Sequence, residues 1–394
     1  MKIAIVGAGV IGLLSAYYLH KYGYDIDIYD QEDDVAAHAS SANAGQLSYS
    51  YMQPLGSPAL LTKLPAALLG LSDTIKIRKM DTALLSWGLK LLIHSHPYAY
   101  QENQNTLIDL AYKSQHLMQD FLSEELFDFE YAENGKLYLF DNETHRQNFA
   151  KDSPAFTFLT PNECLQKEPC LKERQGVLKG GLLAKQDARG NCALFCQKLK
   201  NYLEQQDNIH FHFRTAIKNV EKNNNKVTAL ISSKGKITAD KYLVCTGAFP
   251  IKDFGINEPV YPIKGYSLDL PLHDQYPITH NITDHTRRIV IAPFPNALRI
   301  SGLVRFDRYN DTVEKQDISL LEKTVQAVFP EMTFKDADIF CSFRPYTPSS
   351  TPIVKQTDYH NLFVNIGHGM LGWTLAHATA FSVAELIHKE ENRK

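Results

Sequence analysis

The first thirty or so residues show the clearest alternation of apolar and polar positions. Residues 3–6 form a short, entirely apolar run, which is typical of a strand buried in a parallel sheet. Residues 13–22 follow a helical pattern that stops at Gly23, and residues 25–29 form a second strand pattern. This order predicts a βαβ unit at the start of the chain.

Helical and strand patterns then share the rest of the chain. A long helical region follows the βαβ unit, strands dominate the middle, and an apolar strand, a glycine-rich turn and a helix come last. The predicted helices cover 73–129, 191–205, 318–329 and a final stretch to Lys389, the predicted strands cover 135–140, 209–213, 227–232, 242–245, 260–270, 287–291, 298–304 and 362–366, and residues 221–226 are a predicted hairpin turn.

The strand–glycine–helix pattern at both ends predicts one cofactor domain built from separated segments. We place residues 1–75, 186–255 and 345–394 in this Rossmann-type domain. Residues 76–185 and 256–344 are then the substrate domain, with a largely antiparallel sheet. The predicted fold class is α/β (α+β).

Composition and charge narrow the class of protein. The 394 residues carry 41 Lys and Arg against 44 Asp and Glu, so the net charge of −3 offers no footprint for nucleic acid. We expect no membrane-spanning helix and no signal peptide, because long apolar runs and the charged-then-apolar start are absent from the sequence. Six scattered cysteines indicate a reducing, cytoplasmic location, and the sequence predicts no metal site.

Gly7, Gly9 and Gly12 have the spacing of a dinucleotide-binding turn. The first glycine permits the tight turn, the second lets a pyrophosphate approach, and the third lets helix and strand pack closely. Asp30 ends the second strand, where a carboxylate can bind ribose hydroxyls. The motif predicts a bound dinucleotide, and the acid favours NAD or FAD over NADP.

Three further segments favour a flavin, because a buried ring system needs distant segments to return to it. One follows the second strand, one follows a central strand, and one precedes the last helix, whose dipole can stabilise negative charge on a reduced ring. Their candidate cofactor-binding residues are Ser40, Ser41, Asn43, Ala44, Gly45 and Gln46, then Thr246 and Gly247, then Gly367, His368, Gly369, Leu371 and Gly372.

A family resemblance rests on these motifs and on two further segments. The segments are residues 260–267 (Val-Tyr-Pro-Ile-Lys-Gly-Tyr-Ser) and 343–348 (Phe-Arg-Pro-Tyr-Thr-Pro). The chain resembles the D-amino acid oxidase-like FAD-dependent oxidoreductase superfamily, and within it the family of D-amino acid dehydrogenase small subunits. The motifs occur in family order over nearly the whole chain. The chain departs from the family at Ser349–Ser350 and at Asn191, which leaves the substrate preference open.

The resemblance implies a chemistry and residues that perform it. FAD would accept a hydride from Cα of a D-amino acid, small or apolar in our expectation, to give a 2-oxo acid and ammonia, with electrons passed to an acceptor such as a quinone. Arg344 would hold the substrate carboxylate, which suits a planar guanidinium. Tyr266 and Tyr51 are candidate pocket residues, and His368 is a candidate flavin contact. A structural ion pair with a buried acid stays open for Arg344, core packing for Tyr266, a role outside the pocket for Tyr51, and turn capping for His368.

Other functions stay open at this point. The same fold serves oxidases or dehydrogenases of glycine, sarcosine, hydroxyproline or opines, and an NAD-linked enzyme or a non-catalytic FAD-binding subunit would share the glycine motif. Residues 60–71 are apolar with one lysine, which is consistent with a lid, with plain packing, or with peripheral contact at the inner face of the cytoplasmic membrane.

Overall fold

A computed structural model describes residues 1–41, 43–59, 75–151, 155–271 and 277–392. Ala42 of the predicted cofactor loop and the apolar segment 60–71 lie outside these ranges. None of the described helices is long and apolar enough to cross a bilayer.

The described residues form twenty strands and eight α-helices. In chain order the strands are β1 (Lys2–Val6), β2 (Asp25–Tyr29), β3 (Gln46–Leu47), β4 (Ile75–Ile77), β5 (Lys136–Phe140), β6 (Phe156–Leu159), β7 (Gly180–Ala184), β8 (Ala188–Arg189), β9 (Ile209–His212), β10 (Ile217–Asn223), β11 (Lys226–Ser232), β12 (Gly235–Ile237), β13 (Lys241–Val244), β14 (Tyr261–Pro271), β15 (Asn281–Asp284), β16 (Ile289–Pro293), β17 (Ala297–Phe306), β18 (Asp338–Tyr346), β19 (Ile353–Gln356) and β20 (Leu362–Ile366). The helices are α1 (Val10–His20), α2 (Thr82–His94), α3 (Pro97–Ser123), α4 (Glu143–Ala150), α5 (Pro161–Lys167), α6 (Cys192–Leu203), α7 (Lys315–Gln326) and α8 (Gly372–Glu391).

The first sheet has the strand order β19-β20-β13-β1-β2-β9 and is parallel except for the edge strand β19. Each face of this sheet packs against a core of its own. Successive residues of a strand point to opposite faces, so they join different cores. Ile3 and Ile5 join a core formed with α1, α3, α6 and α8, whereas Ala4 and Val6 join a second core that includes residues of β10 and β11. The predicted βαβ unit is confirmed, and it lies at the centre of this sheet.

The second sheet has the order β18-β14-β17-β16-β15-β5-β7-β6, with β4 paired to β17. Most neighbours are antiparallel, but β15 pairs with β5 in parallel. One face packs on α7 through an apolar core that contains Leu268, Leu321 and Val325. The opposite face supplies residues of the cavity described below.

The structure revises several sequence predictions. The region 73–129 contains a short strand and two helices, because β4 adds to the edge of β17. Half of the described strands were not predicted, and β10 runs through part of the predicted turn at 221–226. The strands without a prediction are β3, β4, β6, β7, β8, β10, β12, β15, β18 and β19. The two sheets divide nearly at the predicted domain boundaries, although α3 packs against α8 in the first core. The domain division itself stays a prediction.

Candidate active site

A large cavity is lined by residues from both sheets. Its volume is about 1380 Å³, above the range of roughly 300–1,000 Å³ that is common for small-molecule pockets. The glycine loop after β1 and the start of α8 line one part, and the exposed face of β14–β18 lines another. The space therefore suits a dinucleotide together with a small second ligand.

The glycine loop is held in a conformation that excludes side chains. Gly7 has φ of +109°, and a Cβ there would lie 2.4 Å from the Cys245 carbonyl oxygen. A Cβ on Gly12 would lie 1.9 Å from the Gly7 carbonyl oxygen, so this residue serves the contact between α1 and β1. Gly9 lines the cavity beside Ser40, whereas Gly12 does not. Each glycine thus occupies the position that its motif predicts.

Asp30 lines the cavity at the end of β2 and stabilises the loop around it. Its Oδ2 accepts a hydrogen bond from the Ala8 amide at 2.6 Å, and its Oδ1 accepts one from the Glu32 amide at 3.0 Å. The carboxylate therefore positions the glycine loop in addition to facing the cavity.

The second predicted segment wraps the start of α1. The Val10 amide donates to Ser40 Oγ at 3.1 Å, and Asn43 Oδ1 accepts from the Gly45 amide at 2.8 Å. Gly45 has φ of +67° and faces the ring of Phe294, where a Cβ would be 2.3 Å away. Four of the predicted residues line the cavity, namely Ser40, Asn43, Ala44 and Gln46, whereas Ser41 and Gly45 do not.

The predicted segment that follows β13 brings Thr246 and Gly247 to the cavity wall. Gly247 adopts φ of +61°. Thr246 Oγ1 is buried, and no hydrogen-bond partner for it exists in the described part of the chain. Such an orphaned hydroxyl is costly unless a ligand supplies the partner.

The glycine-rich turn before α8 forms the remaining wall. Gly367 and Gly369 have φ of +83° and +55°, and the Gly369 amide donates to the Pro345 carbonyl at 2.7 Å. Leu371 and Gly372 line the cavity together with Gly369, whereas Gly367 packs behind it against Thr347. Leu371 at the N-cap provides no side-chain acceptor, and the first three residues of α8 line the cavity. The positive end of the helix dipole therefore lies at the cavity wall.

His368 also lines the cavity, but its Nε2 shares a hydrogen bond with Thr379 Oγ1 at 3.0 Å. Burial lowers the pKa of His368 to about 3, so the imidazole is neutral. The flavin contact of His368 stays a prediction, and its Nε2 is already hydrogen-bonded to Thr379.

These features fit the FAD that the sequence resemblance implies. The loop at Gly7 and Gly9 leaves no room for side chains, and α8 begins at the cavity with no side-chain cap from Leu371. Thr246 Oγ1 and Asn365 Oδ1 are buried without partners among the described residues. The first loop and Asp30 would hold the adenine-ribose and pyrophosphate half. The start of α8 would stabilise negative charge on the ring system.

Arg344 supplies a cation on the cavity face of β18. Its side chain is half-buried, and one guanidinium nitrogen donates to the Leu303 carbonyl at 3.1 Å. Within the described ranges, no aspartate or glutamate pairs with it, and burial lowers its pKa. A partly desolvated guanidinium without a carboxylate is unfavourable by itself, which favours an anionic ligand at this position.

Gly265 makes space for that guanidinium. It lies on the neighbouring strand β14, and a Cβ there would be 2.3 Å from Arg344 Cζ. Gly265 and Ser267 face the cavity, so Tyr266 between them points to the other side of the sheet. The Tyr266 hydroxyl donates to Asp317 at 2.8 Å in the core beneath. The expectation that Tyr266 contacts substrate is corrected by this placement.

Tyr51 does line the cavity, and its ring stacks on Phe149 with centroids 4.0 Å apart. Three residues of this region were missed by sequence reasoning: Gly265, Lys136 and Arg299. Arg299 links the second sheet to the predicted cofactor loop, because it pairs with Asp269 and donates to the carbonyls of Ser41 and Asn43. No alternation in strand β14 pointed to Gly265, because the strand is buried on both faces.

Comparison with known proteins supplies a family and several relatives. A family model described as "FAD dependent oxidoreductase" (DAO) matches residues 2–386. A D-amino acid dehydrogenase of Vibrio vulnificus (strain YJ016) is 31% identical over 406 residues, covering 100% of this chain and 97% of the relative. One of Neisseria meningitidis serogroup A (strain DSM 15465 / Z2491) is 32% identical over 403 residues, covering 98% and 96%.

Solved structures share the fold at lower identity. Glycine oxidase from Bacillus cereus ATCC 14579 superposes with a TM-score of 0.76 at 20% identity, covering 99% of this chain and 95% of that one. L-proline dehydrogenase from P. horikoshii gives 0.71 at 17% identity, covering 98% and 93%. These values establish the fold and leave the substrate to the site itself.

Proposed function

The chain belongs to the family of FAD-dependent oxidoreductases, and from this membership we propose that it oxidises a D-amino acid to a 2-oxo acid and ammonia. The full-length relatives named D-amino acid dehydrogenase support the choice of substrate. The observation that carries the proposal is Arg344, a partly buried cation in the cavity with no acidic partner among the described residues.

Arg344 binds the substrate carboxylate in this proposal. A guanidinium offers two parallel N–H donors to a carboxylate, which fixes orientation as well as affinity. Gly265 keeps the space beside the guanidinium open, and Leu303 anchors it from one side. The bound carboxylate would then direct Cα of the substrate toward the interior of the cavity.

FAD, when bound, supplies the acceptor for the hydride that leaves Cα. The amino group must be neutral for its lone pair to assist that departure. The proton of the ammonium form passes to water before the hydride leaves, so no side chain is assigned as a general base. Loss of the hydride leaves an imino acid, which water hydrolyses to the 2-oxo acid and ammonia.

For the electron acceptor we propose only a chemical class. The relatives are named dehydrogenases rather than oxidases, which favours an acceptor other than oxygen, such as a quinone. The resemblance to the small subunit of a dehydrogenase implies a larger electron-transfer assembly. A cytoplasmic location with peripheral membrane contact is retained as part of this proposal.

Replacement of Arg344 tests the proposal. R344M should lower kcat/KM for D-alanine by two orders of magnitude or more, on the scale of about 2–5 kcal/mol for a lost buried charge pair. R344K keeps the charge and loses the bidentate geometry, so its kcat/KM should lie between those of R344M and the wild type. Bound FAD should be unchanged in both variants. Equal activity of R344M and the wild type would refute the role of Arg344.

A further inference from the structure

A second buried cation lines the same cavity. Lys136 opens β5, its residue surface is 7% exposed, and its Nζ donates to Ser48 Oγ at 2.9 Å. Its ammonium group also lies 4.7 Å from the centre of the Tyr138 ring. No carboxylate of the described residues forms an ion pair with it, so the charge is incompletely compensated by contacts.

The groups around Lys136 form a polar patch that has unused hydrogen-bonding capacity. Lys136 and Tyr138 share one face of β5, and Thr283 of β15 pairs directly with Tyr138. The Tyr138 hydroxyl and Thr283 Oγ1 are buried, and neither has a partner in the part of the chain that the structure describes. We call Ser48, Lys136, Tyr138 and Thr283 the Lys136 patch. All four line the cavity.

The Lys136 patch and Arg344 approach the same helix start. Pro345, next to Arg344, accepts a hydrogen bond from the Gly369 amide at 2.7 Å, just before α8. The Ser48 amide donates to Thr374 Oγ1 at 3.1 Å, in the first turn of α8. Both cations therefore line the cavity on segments that are hydrogen-bonded to the start of α8 or to the turn before it.

We propose that the Lys136 patch is a second anion subsite, and that the substrate class is D-amino acids with an acidic side chain, such as D-glutamate and D-aspartate. This inference rests on the proposed function and deepens it. Arg344 holds the α-carboxylate, and Lys136 holds the side-chain carboxylate with help from the two free hydroxyls. A desolvated ammonium with spare donors favours an anionic group over an apolar or neutral one.

The neighbours of Lys136 are consistent with a charged ammonium at neutral pH. Burial lowers the pKa of Lys136 to about 8, while the buried carboxylate of Asp187 opposes this shift. Asp187 Oδ1 accepts from the amides of Tyr49 and Ser50, whereas its Oδ2 is buried without a hydrogen-bond partner among the described residues. Lys136 Nζ donates one hydrogen bond, to Ser48 Oγ, and its other donors are available to a ligand.

Equilibrium binding to the holoenzyme tests the subsite without turnover. Calorimetry would compare glutarate with pentanoate, which has the same chain length and one carboxylate. The wild type should bind glutarate at least about tenfold more tightly, and K136M should lose that preference while K136R keeps part of it. K241M is the matched control, because Lys241 is a buried strand lysine outside the cavity that donates to the Ile387 carbonyl.

Kinetics with two substrates separates this subsite from general roles. K136M should lower kcat/KM for D-glutamate by about 30-fold or more and that for D-alanine by less than about threefold. Equal losses for both substrates would overturn the proposal and assign Lys136 to the cofactor or the fold. No change with either substrate, or equal wild-type binding of glutarate and pentanoate, would also overturn it.

The outcomes for the two proposals are distinguishable. If D-alanine reduces the flavin but D-glutamate does not, and glutarate binds no better than pentanoate, the proposed function stands and the second subsite is refuted. Lys136-dependent glutarate binding in a protein that no D-amino acid reduces supports the anion subsite and removes the proposed function.

Discussion

Gly265→Ala is the most informative single substitution, because it disturbs Arg344 without changing any charged residue. The added methyl would lie 2.3 Å from Arg344 Cζ and 2.3 Å from one terminal nitrogen. Ordinary contact begins near 3.4 Å, so the guanidinium must move by more than about 1 Å. A misplacement of about 1 Å at a substrate-positioning group costs roughly 100-fold in rate.

We therefore expect G265A to lower kcat/KM for the preferred D-amino acid by about 100-fold, with bound FAD and thermal stability little changed. Anaerobic stopped-flow reduction of the flavin measures this directly. In the R344M background the same glycine substitution should add almost nothing, because both changes act through one guanidinium. Full activity of folded G265A, or additive losses in the double variant, would refute the assigned contact.

Three further predictions concern the cofactor and the second cation. G12A should lower FAD affinity at least tenfold in a fluorescence titration, because a methyl 1.9 Å from the Gly7 carbonyl forces α1 away from β1; retention of wild-type affinity would contradict the packing role. R299M should weaken FAD binding and lower the melting temperature, because it removes the donor to the Ser41 and Asn43 carbonyls. D269N, which weakens the ion pair that holds Arg299, should have smaller effects on both, and an unchanged FAD affinity in R299M would contradict a role of Arg299 at the cofactor site. The preference for D-glutamate over D-alanine should fall as pH rises through about 8, because Lys136 binds the second carboxylate only when protonated, and in K136R it should persist to higher pH. A preference that is flat from pH 6 to about 10 in the wild type would count against that assignment.

The local parts of the site were predictable from sequence. The spacing of Gly7, Gly9 and Gly12 follows from the turn between β1 and α1, where Gly12 packs against Gly7, so the motif locates the loop correctly. The turn at Gly367 and Gly369 before the last helix is equally local. The fold class follows from such units and is confirmed.

The substrate side depends on non-local contacts that the sequence pattern does not encode. Strand β14 is buried on both faces, by a core on one side and the cavity on the other, so no apolar–polar alternation shows which way Tyr266 points. The space beside Arg344 depends on Gly265 of a neighbouring strand. Lys136 opens an apolar strand, where a lysine ordinarily reaches solvent, and only the packing of Ser48 against it shows that it is enclosed.

Stereospecific reduction of the bound flavin tests the central claim most directly. Purified protein would be mixed anaerobically with D-alanine, D-glutamate or their L-enantiomers while the visible spectrum is recorded. The account predicts yellow protein whose flavin bands bleach with the D-amino acids, and recover when a quinone is added, but persist with the L-forms. Bleaching by neither enantiomer of any amino acid, or by the L-forms equally, would contradict it.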